Sequence, residues 1–335
     1  MPDKLQITIV GLGLIGASAG LALRRYADKV TVVGHDREPG LANRAKSAAA
    51  VDRTEWNLIN AVSKADRILL ALPVSEIRAT LAAIAQDLKP GCVLLDTADV
   101  KAPVLRWAAE LLPESVHLVG GHPIVIAQDP SLRSGQAMDA GSARADLFQD
   151  KLFCLVAGRS ADDAALRLAA DLVEALGAKP FFMDAIEHDG LAATVEQTPM
   201  IVAAALLDMA RTSPAWTDMR KLAGSQFYTS TLITAWDGQA AAAACAANRD
   251  LLVQRLDAFI AGLGEWRQRL ADGEDETLAK ALDDGLTARR KWLNAQASGN
   301  WDEPRAPAEM PGSGAYLRQL IGFGGLRKPP AKPKK

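Results

Sequence analysis

The segment Gly11-Leu12-Gly13-Leu14-Ile15-Gly16 constrains the fold of this chain more than any other, because of what stands on either side of it. Before it runs Leu5 to Val10 (LQITIV), of strand length and dense in β-branched residues; after it a helical pattern begins. A glycine turn between a strand and a helix has a specific use. Gly11 permits the tight turn, Gly13 lets the backbone approach a pyrophosphate, and Gly16 lets the helix pack closely on the strand. The helix opening at Leu14 and Ile15 then offers unpaired N–H groups and a partial positive charge to the phosphates. The fingerprint also calls for an acidic residue about 20 positions on, at the end of the second strand. Asp36 stands there, after Val30 to Gly34. Its carboxylate would accept hydrogen bonds from ribose hydroxyls and repel a 2′-phosphate, which points to NAD. Arg37, next to it, could pair with such a phosphate, so NADP stays possible.

Short apolar runs alternate with helical patterns through residue 157. Val30 to Val33, Ile68 to Leu72, Val93 to Leu95, Val116 to Val119 and Leu152 to Val156 read as further strands, the last one ending the sheet. Between them Ser18 to Arg25, Leu41 to Ala49, Val74 to Leu88 and Val104 to Leu112 read as helices. Strands that are apolar throughout imply a sheet covered on both faces, hence a parallel one. The expected fold class is α/β: an N-terminal Rossmann-type doubly wound parallel sheet with a C-terminal all-helical dimerisation domain. Residues 1–157 would bind the dinucleotide and residues 158–293 form the helical domain, with strand character only at Pro180 to Met183. Asp184 and Glu187 have capping-box spacing and open a helix towards Leu207, in which Pro199 predicts a kink. Ala240 to Leu263 and Thr277 to Leu293 read as two more long helices, and residues 294–335 as a linker and basic tail. Trp216, Trp236, Trp266, Trp292 and Trp301 are expected as core or interface anchors.

Charge and composition remove several classes. Lys plus Arg number 38 and Asp plus Glu 40, a formal charge of -2. No global positive field exists to attract nucleic acid. Three cysteines, at 92, 154 and 245, offer neither a disulfide framework nor CxxC spacing, and no HExxH or related pattern exists, so no metal is expected. Met200 to Leu207, the longest apolar stretch near the middle, is far shorter than the roughly 18 residues of a bilayer span, and the N-terminus lacks leader character. These features fit a cytoplasmic chain with no membrane partner.

ITIVGLGLIGASAGLAL resembles the opening of the prephenate and arogenate dehydrogenase family, whose first turn reads GxGLIGxSxxxxL. Three further segments agree in order and spacing: Asp96-Thr97-Ala98-Asp99-Val100-Lys101, Gly120-Gly121-His122-Pro123-Ile124, and Glu187-His188-Asp189 with Ala193 and Pro199 beyond it. Asn248 matches on a later helix, and the resemblance covers residues 5–293. It implies NAD(P)-linked oxidative decarboxylation of a cyclohexadienyl substrate in tyrosine biosynthesis, by a homodimer. His122 matches the histidine that takes the hydroxyl proton, and Lys101 a residue that helps hold the nicotinamide-side loop. His35 is expected in an exposed loop near the adenine.

The resemblance also marks departures. Asp99 stands where the family has a serine that orients the hydroxyl and the histidine, and it could accept a hydrogen bond from His122. Glu196-Gln197 replaces a Ser-His pair; Gln197 can donate a hydrogen bond but carries no charge. Leu232 replaces an arginine that clamps a substrate carboxylate, leaving Arg220, Lys221 or Arg133 as substitutes. The cofactor half therefore reads as intact and the substrate half as altered. A dehydrogenase of the same fold acting on another hydroxyl-bearing substrate, and a catalytically silent NAD-binding protein, are the two alternatives.

Overall fold

A computed structural model describes residues 4–125, 140–158, 161–233 and 238–301. The apolar runs form one eight-stranded sheet: β1 (Leu5–Val10), β2 (Val30–His35), β3 (Arg53–Thr54), β4 (Arg67–Leu70), β5 (Val93–Asp96), β6 (His117–Pro123), β7 (Leu152–Ala157) and β8 (Lys179–Phe182). Their order is β3-β2-β1-β4-β5-β6-β7-β8. Helices α1 (Leu14–Leu23), α2 (Pro39–Ser47), α3 (Leu58–Val62), α4 (Val74–Ile84), α5 (Ala102–Leu111) and α6 (Asp163–Ala175) lie between the strands along the chain. Side chains alternate across the sheet and both faces are covered, as the uninterrupted apolar runs require. Ile7, Ile9, Leu69, Leu95 and Val119 pack with α1 and α6. Ile68, Leu70, Leu94 and Leu118 pack with α4 and α5 on the other face. The strand order reverses between β1 and β4, and the carboxyl edge there is where doubly wound sheets hold ligands.

The far side of the sheet departs from expectation. Leu152–Ala157 is not the last strand, since Lys179–Phe182 pairs beside it. Nor is the sheet wholly parallel, because β7 runs antiparallel to β6. That pairing lengthens β6. Strand β5 reaches only His117 to Val119, whereas β7 pairs with Val119 through Pro123, placing His122 opposite Cys154 inside the strand instead of beyond its end.

After β8 the regular elements of the described residues are all helical. Asp184 accepts from the N–H groups of Ile186 and Glu187 and so caps α7 (Ala185–Ala192). A π-helical turn, Ala193–Gln197, joins it to α8 (Thr198–Arg211). Pro199 falls in the first turn of α8, where a missing N–H is tolerated, so the disturbance lies in the π turn before it. As one run, Ala185–Arg211 is long and apolar enough to cross a bilayer, contrary to the estimate from Met200 to Leu207. His188, Asp189 and Gln197 on it are nevertheless buried against protein partners.

Helices α9 (Trp216–Leu222), α10 (Ser225–Ser230), α11 (Gly238–Ala247), α12 (Arg249–Ala271) and α13 (Asp275–Ser298) follow. The helix expected from Ala240 to Leu263 is thus broken at Asn248, and α13 takes in residues 295–298 of the expected linker. Residues 302–335, with the basic tail, lie outside the described residues, as does Trp236. The chain divides into compact units at Leu252, inside α12, instead of at residue 157. In the second unit Val253, Ile260, Leu263, Leu270, Leu282, Leu286, Trp292 and Trp301 are exposed, so Trp292 and Trp301 are not anchors of a core within this chain, while Trp266 is half-buried.

Candidate active site

Two glycines of the turn are required by the chain itself. Gly11 has φ +92°, a left-handed conformation, and a Cβ there would lie 2.2 Å from the carbonyl oxygen of Ala71 after β4. A Cβ on Gly16 would lie 1.9 Å from the carbonyl oxygen of Gly11. Gly13 differs, because nothing lies within 4 Å of a Cβ built on it. That gap adjoins the first turn of α1, which carries no acidic residue and no side-chain cap. Its N–H groups are left for an anion. Leu14 is buried in the core, so only its backbone is left for a ligand, whereas Ile15 is half-buried.

Asp36 follows β2 at the same edge. Its Oδ2 accepts from the Leu12 N–H at 2.7 Å and its Oδ1 from the Glu38 N–H at 2.8 Å. Each oxygen keeps lone-pair capacity for a ribose hydroxyl. Arg37 Nη1 donates to Glu76 Oε1 at 2.8 Å, so the nearby guanidinium already has an anionic partner. His35 is not in an exposed loop: it ends β2, half-buried, with Nδ1 2.9 Å from the Glu55 carbonyl oxygen.

Further along this edge β5 ends at Asp96, which is fully buried. Asp96 accepts from the Gly121 N–H at 3.1 Å and the Ala98 N–H at 3.0 Å. It also pairs with the Lys101 ammonium, which donates in addition to the Gly121 carbonyl oxygen at 2.5 Å. Lys101 is completely buried, neither a surface lysine nor able to touch a cofactor with its ammonium. It fastens the loop after β5 to the residue preceding His122. Removing one partner of such a pair costs about 3–5 kcal/mol, because the other charge is left buried alone. Gly121 is dictated by the same closeness, since a Cβ there would lie 2.3 Å from the Asp96 carbonyl oxygen.

His122 is buried at the end of β6. Its Nδ1 lies 2.9 Å from Nε2 of His188, the rings meeting edge to face at 71°. His188 Nδ1 lies 2.8 Å from Asp189 Oδ1. The other His122 nitrogen, Nε2, lies 3.5 Å from Glu196 Oε1 in the π turn. Burial, then the neighbouring His188 and Lys101, holds the His122 imidazole well below the usual histidine range. Burial, with the Asp99 charge adding to it, pushes the Glu196 carboxyl up to about 7. Burial likewise raises Asp99.

The expected bond between Asp99 and His122 is not made. Both His122 nitrogens face other groups, and Asp99 is met by the Gln197 amide. Gln197 does not reach His122 either. Its Nε2 donates to the Ala244 carbonyl oxygen at 3.3 Å, and its Oε1 accepts from Asn248 Nδ2 at 2.9 Å. Asn248 also donates to the Asp189 carbonyl oxygen at 2.9 Å, which accounts for an asparagine where α11 gives way to α12. Arg220 and Lys221 lie on exposed α9, Lys221 paired with Asp218 at 2.8 Å, and Arg133 is outside the described residues. Sequence reasoning left His188 and Glu196 without a role, although the motif containing His188 was visible.

The family description "Prephenate dehydrogenase, nucleotide-binding domain" matches residues 19–181, and "Prephenate dehydrogenase, dimerization domain" residues 184–284. A cyclohexadienyl dehydrogenase of Zymomonas mobilis is 29% identical over 85% of this chain and 94% of its own length. The probable prephenate dehydrogenase NovF of Streptomyces niveus is 30% identical over 79% of this chain and 70% of its own. Among solved structures, prephenate dehydrogenase from Aquifex aeolicus, in complex with hydroxyphenyl propionate and NAD+, superposes with a TM-score of 0.77 at 22% identity, covering 86% of this chain and 98% of that one.

Proposed function

The chain belongs to the prephenate dehydrogenase family, and we propose that its buried imidazole at position 122 serves NAD-dependent oxidative decarboxylation of a cyclohexadienyl hydroxy acid in tyrosine biosynthesis. The observation that carries this reading is that the glycine cradle, Asp36 and His122 stand on one carboxyl edge of one sheet. The residues present fit the cofactor. The open space at Gly13 and the uncapped N-terminus of α1 would hold the pyrophosphate, and Asp36 the adenosine ribose. Bound there, NAD supplies the hydride acceptor.

His122 does the proton work. It is neutral at physiological pH, because its burial opposes the charged form, and its Nε2 accepts the hydrogen bond of the substrate hydroxyl. As hydride leaves the ring carbon, Nε2 takes the hydroxyl proton and a dienone carbonyl forms. Carbon dioxide then departs, the electron pair it leaves makes the ring aromatic, and the phenolate oxygen recovers the proton from His122. No net proton is released in these steps. Lys101 and Asp96 keep the imidazole in place from behind, by holding both backbone groups of Gly121.

Asp36 and the Arg37–Glu76 pair favour NAD over NADP, since a 2′-phosphate would meet a carboxylate while the adjacent cation is occupied. The helical part joins two copies in a homodimer, and a cytoplasmic setting suits the three free thiols. Incubating the chain with prephenate or arogenate and either cofactor, while following the absorbance of the reduced nicotinamide, tests the reading. Turnover of one of the two compounds is expected. Cofactor binding without turnover on these or on other hydroxy acids would overturn it. Leu232 in place of the arginine clamp is the observation that favours a second reading, a different hydroxyl-bearing substrate.

A further inference from the structure

We infer that Asp189 and His188 form a buried relay that fixes the proton of His122 on Nδ1 and thereby leaves Nε2 as its basic nitrogen. The relay begins at a helix end. Asp189 Oδ1 accepts from the backbone N–H of Lys101 at 2.6 Å and Oδ2 from that of Ala102 at 2.8 Å, the opening donors of α5. A carboxylate only accepts, so His188 Nδ1, 2.8 Å from Oδ1, must bring the proton. A neutral imidazole has one N–H, which leaves His188 Nε2 as a lone pair. That lone pair lies 2.9 Å from His122 Nδ1, which must therefore be the donor. The single N–H of His122 is then spent, and Nε2 is bare. Each proton position dictates the next.

One competing arrangement exists. A second proton on His188 would reverse the bond between the rings and move the His122 proton to Nε2, facing Glu196. His188 and His122 are both buried, and the Lys101 ammonium acts on His122 from the α5 side. The remaining charges around the pair are Asp189 on α7, Glu196 in the π turn and Asp99 after β5. Two buried rings beside a buried ammonium oppose an extra positive charge, so the arrangement with the proton on His122 Nδ1 is the one inferred. His188 and Asp189 are positioning residues: they act on the substrate only through His122. Their use in turnover rests on the reading of His122 as proton acceptor, but the proton positions do not.

The test is nitrogen NMR of the full chain labelled with 15N-histidine, which gives four rings to assign by single replacements. At pH 8 the His122 signals are expected to show a protonated Nδ1 and a bare Nε2. A protonated Nε2 in the unaltered chain overturns the relay. His188→Gln, whose carbonyl oxygen can still accept from Nδ1–H, should keep this signature. His188→Phe should lose it, and turnover should fall at least about 30-fold further in Phe than in Gln, the scale of a misplaced base proton. Equal losses in the two variants, or an unchanged His122 signature in His188→Phe, also overturn it. Failure of the proposed activity would instead show as absent turnover in the unaltered chain, whatever its nitrogen spectrum.

Discussion

At the scale of single residues, the site is a set of buried polar groups whose partners are all close in space and mostly distant in sequence. Replacing His122 by Asn should preserve NAD binding, read by fluorescence titration, and lower turnover by at least about 100-fold, the usual scale for losing a general base. Glu196 makes a separate prediction. Its carboxyl, pushed up to about 7, is charged above that pH and neutral below it. The charged form, 3.5 Å from Nε2, favours a proton on His122, so activity should rise with pH through about 7. His122 is already neutral there and does not set this limb. In Glu196→Gln the acid limb of kcat/KM should move down towards the depressed range of His122. A limb that stays put in the variant would assign it to another group. The sequence displayed His122 through its Gly-His-Pro setting, but it hid the partner. His188 in the first turns of a capped helix has a sufficient local explanation, and nothing local points across 66 positions to another ring. The resemblance pointed to Lys101 as a loop-holding residue, but its complete burial was not legible, since a lone lysine is a surface residue by default.

At the scale of elements, the first strand, glycine turn and first helix were legible because the three glycines have distinct uses: Gly11 and Gly16 relieve close approaches of the chain, and Gly13 keeps space open. Substitution separates Gly13 from Gly16. Gly16→Ala forces a Cβ against the Gly11 carbonyl oxygen, so it should lower both thermal stability and NAD affinity. Gly13→Ala meets no protein atom and suits φ −67°, so its melting temperature should match the parent while NAD affinity falls at least about tenfold, as the methyl occupies pyrophosphate space. Calorimetry and cofactor titration read the two effects; a Gly13→Ala chain that binds NAD normally would remove the cradle from its assigned place. The antiparallel β7 was not legible. An apolar run shows that a strand exists, but its direction depends on whether the connection before it crosses over or turns back. The extension of β6 around His122 followed from that unseen direction.

At the scale of the whole molecule, the sheet class and the helical second half followed from the alternation of apolar runs and the later Ala-rich stretches. The division of the chain did not, because α6 and β8 complete the sheet after residue 157. Ile260, Leu263, Leu282, Leu286 and Trp292 of the second compact unit are large apolar side chains left exposed, the kind of surface a second copy would cover. Sedimentation equilibrium should therefore give twice the chain mass at micromolar concentration, and Leu263→Glu with Leu286→Glu should shift the distribution to single chains. A monodisperse single chain in the parent would refute the homodimer.

The proton of His122 is addressed from two sides: at Nδ1, through His188, by a carboxylate that also anchors α5, and at Nε2 by Glu196 in the π turn. Asp99 bears on that line of contacts through the charge it sets beside Glu196, whereas Leu232 has no polar group to join it. Replacement of Leu232 is therefore expected to change which hydroxy acid is held while leaving the proton of His122 where it is.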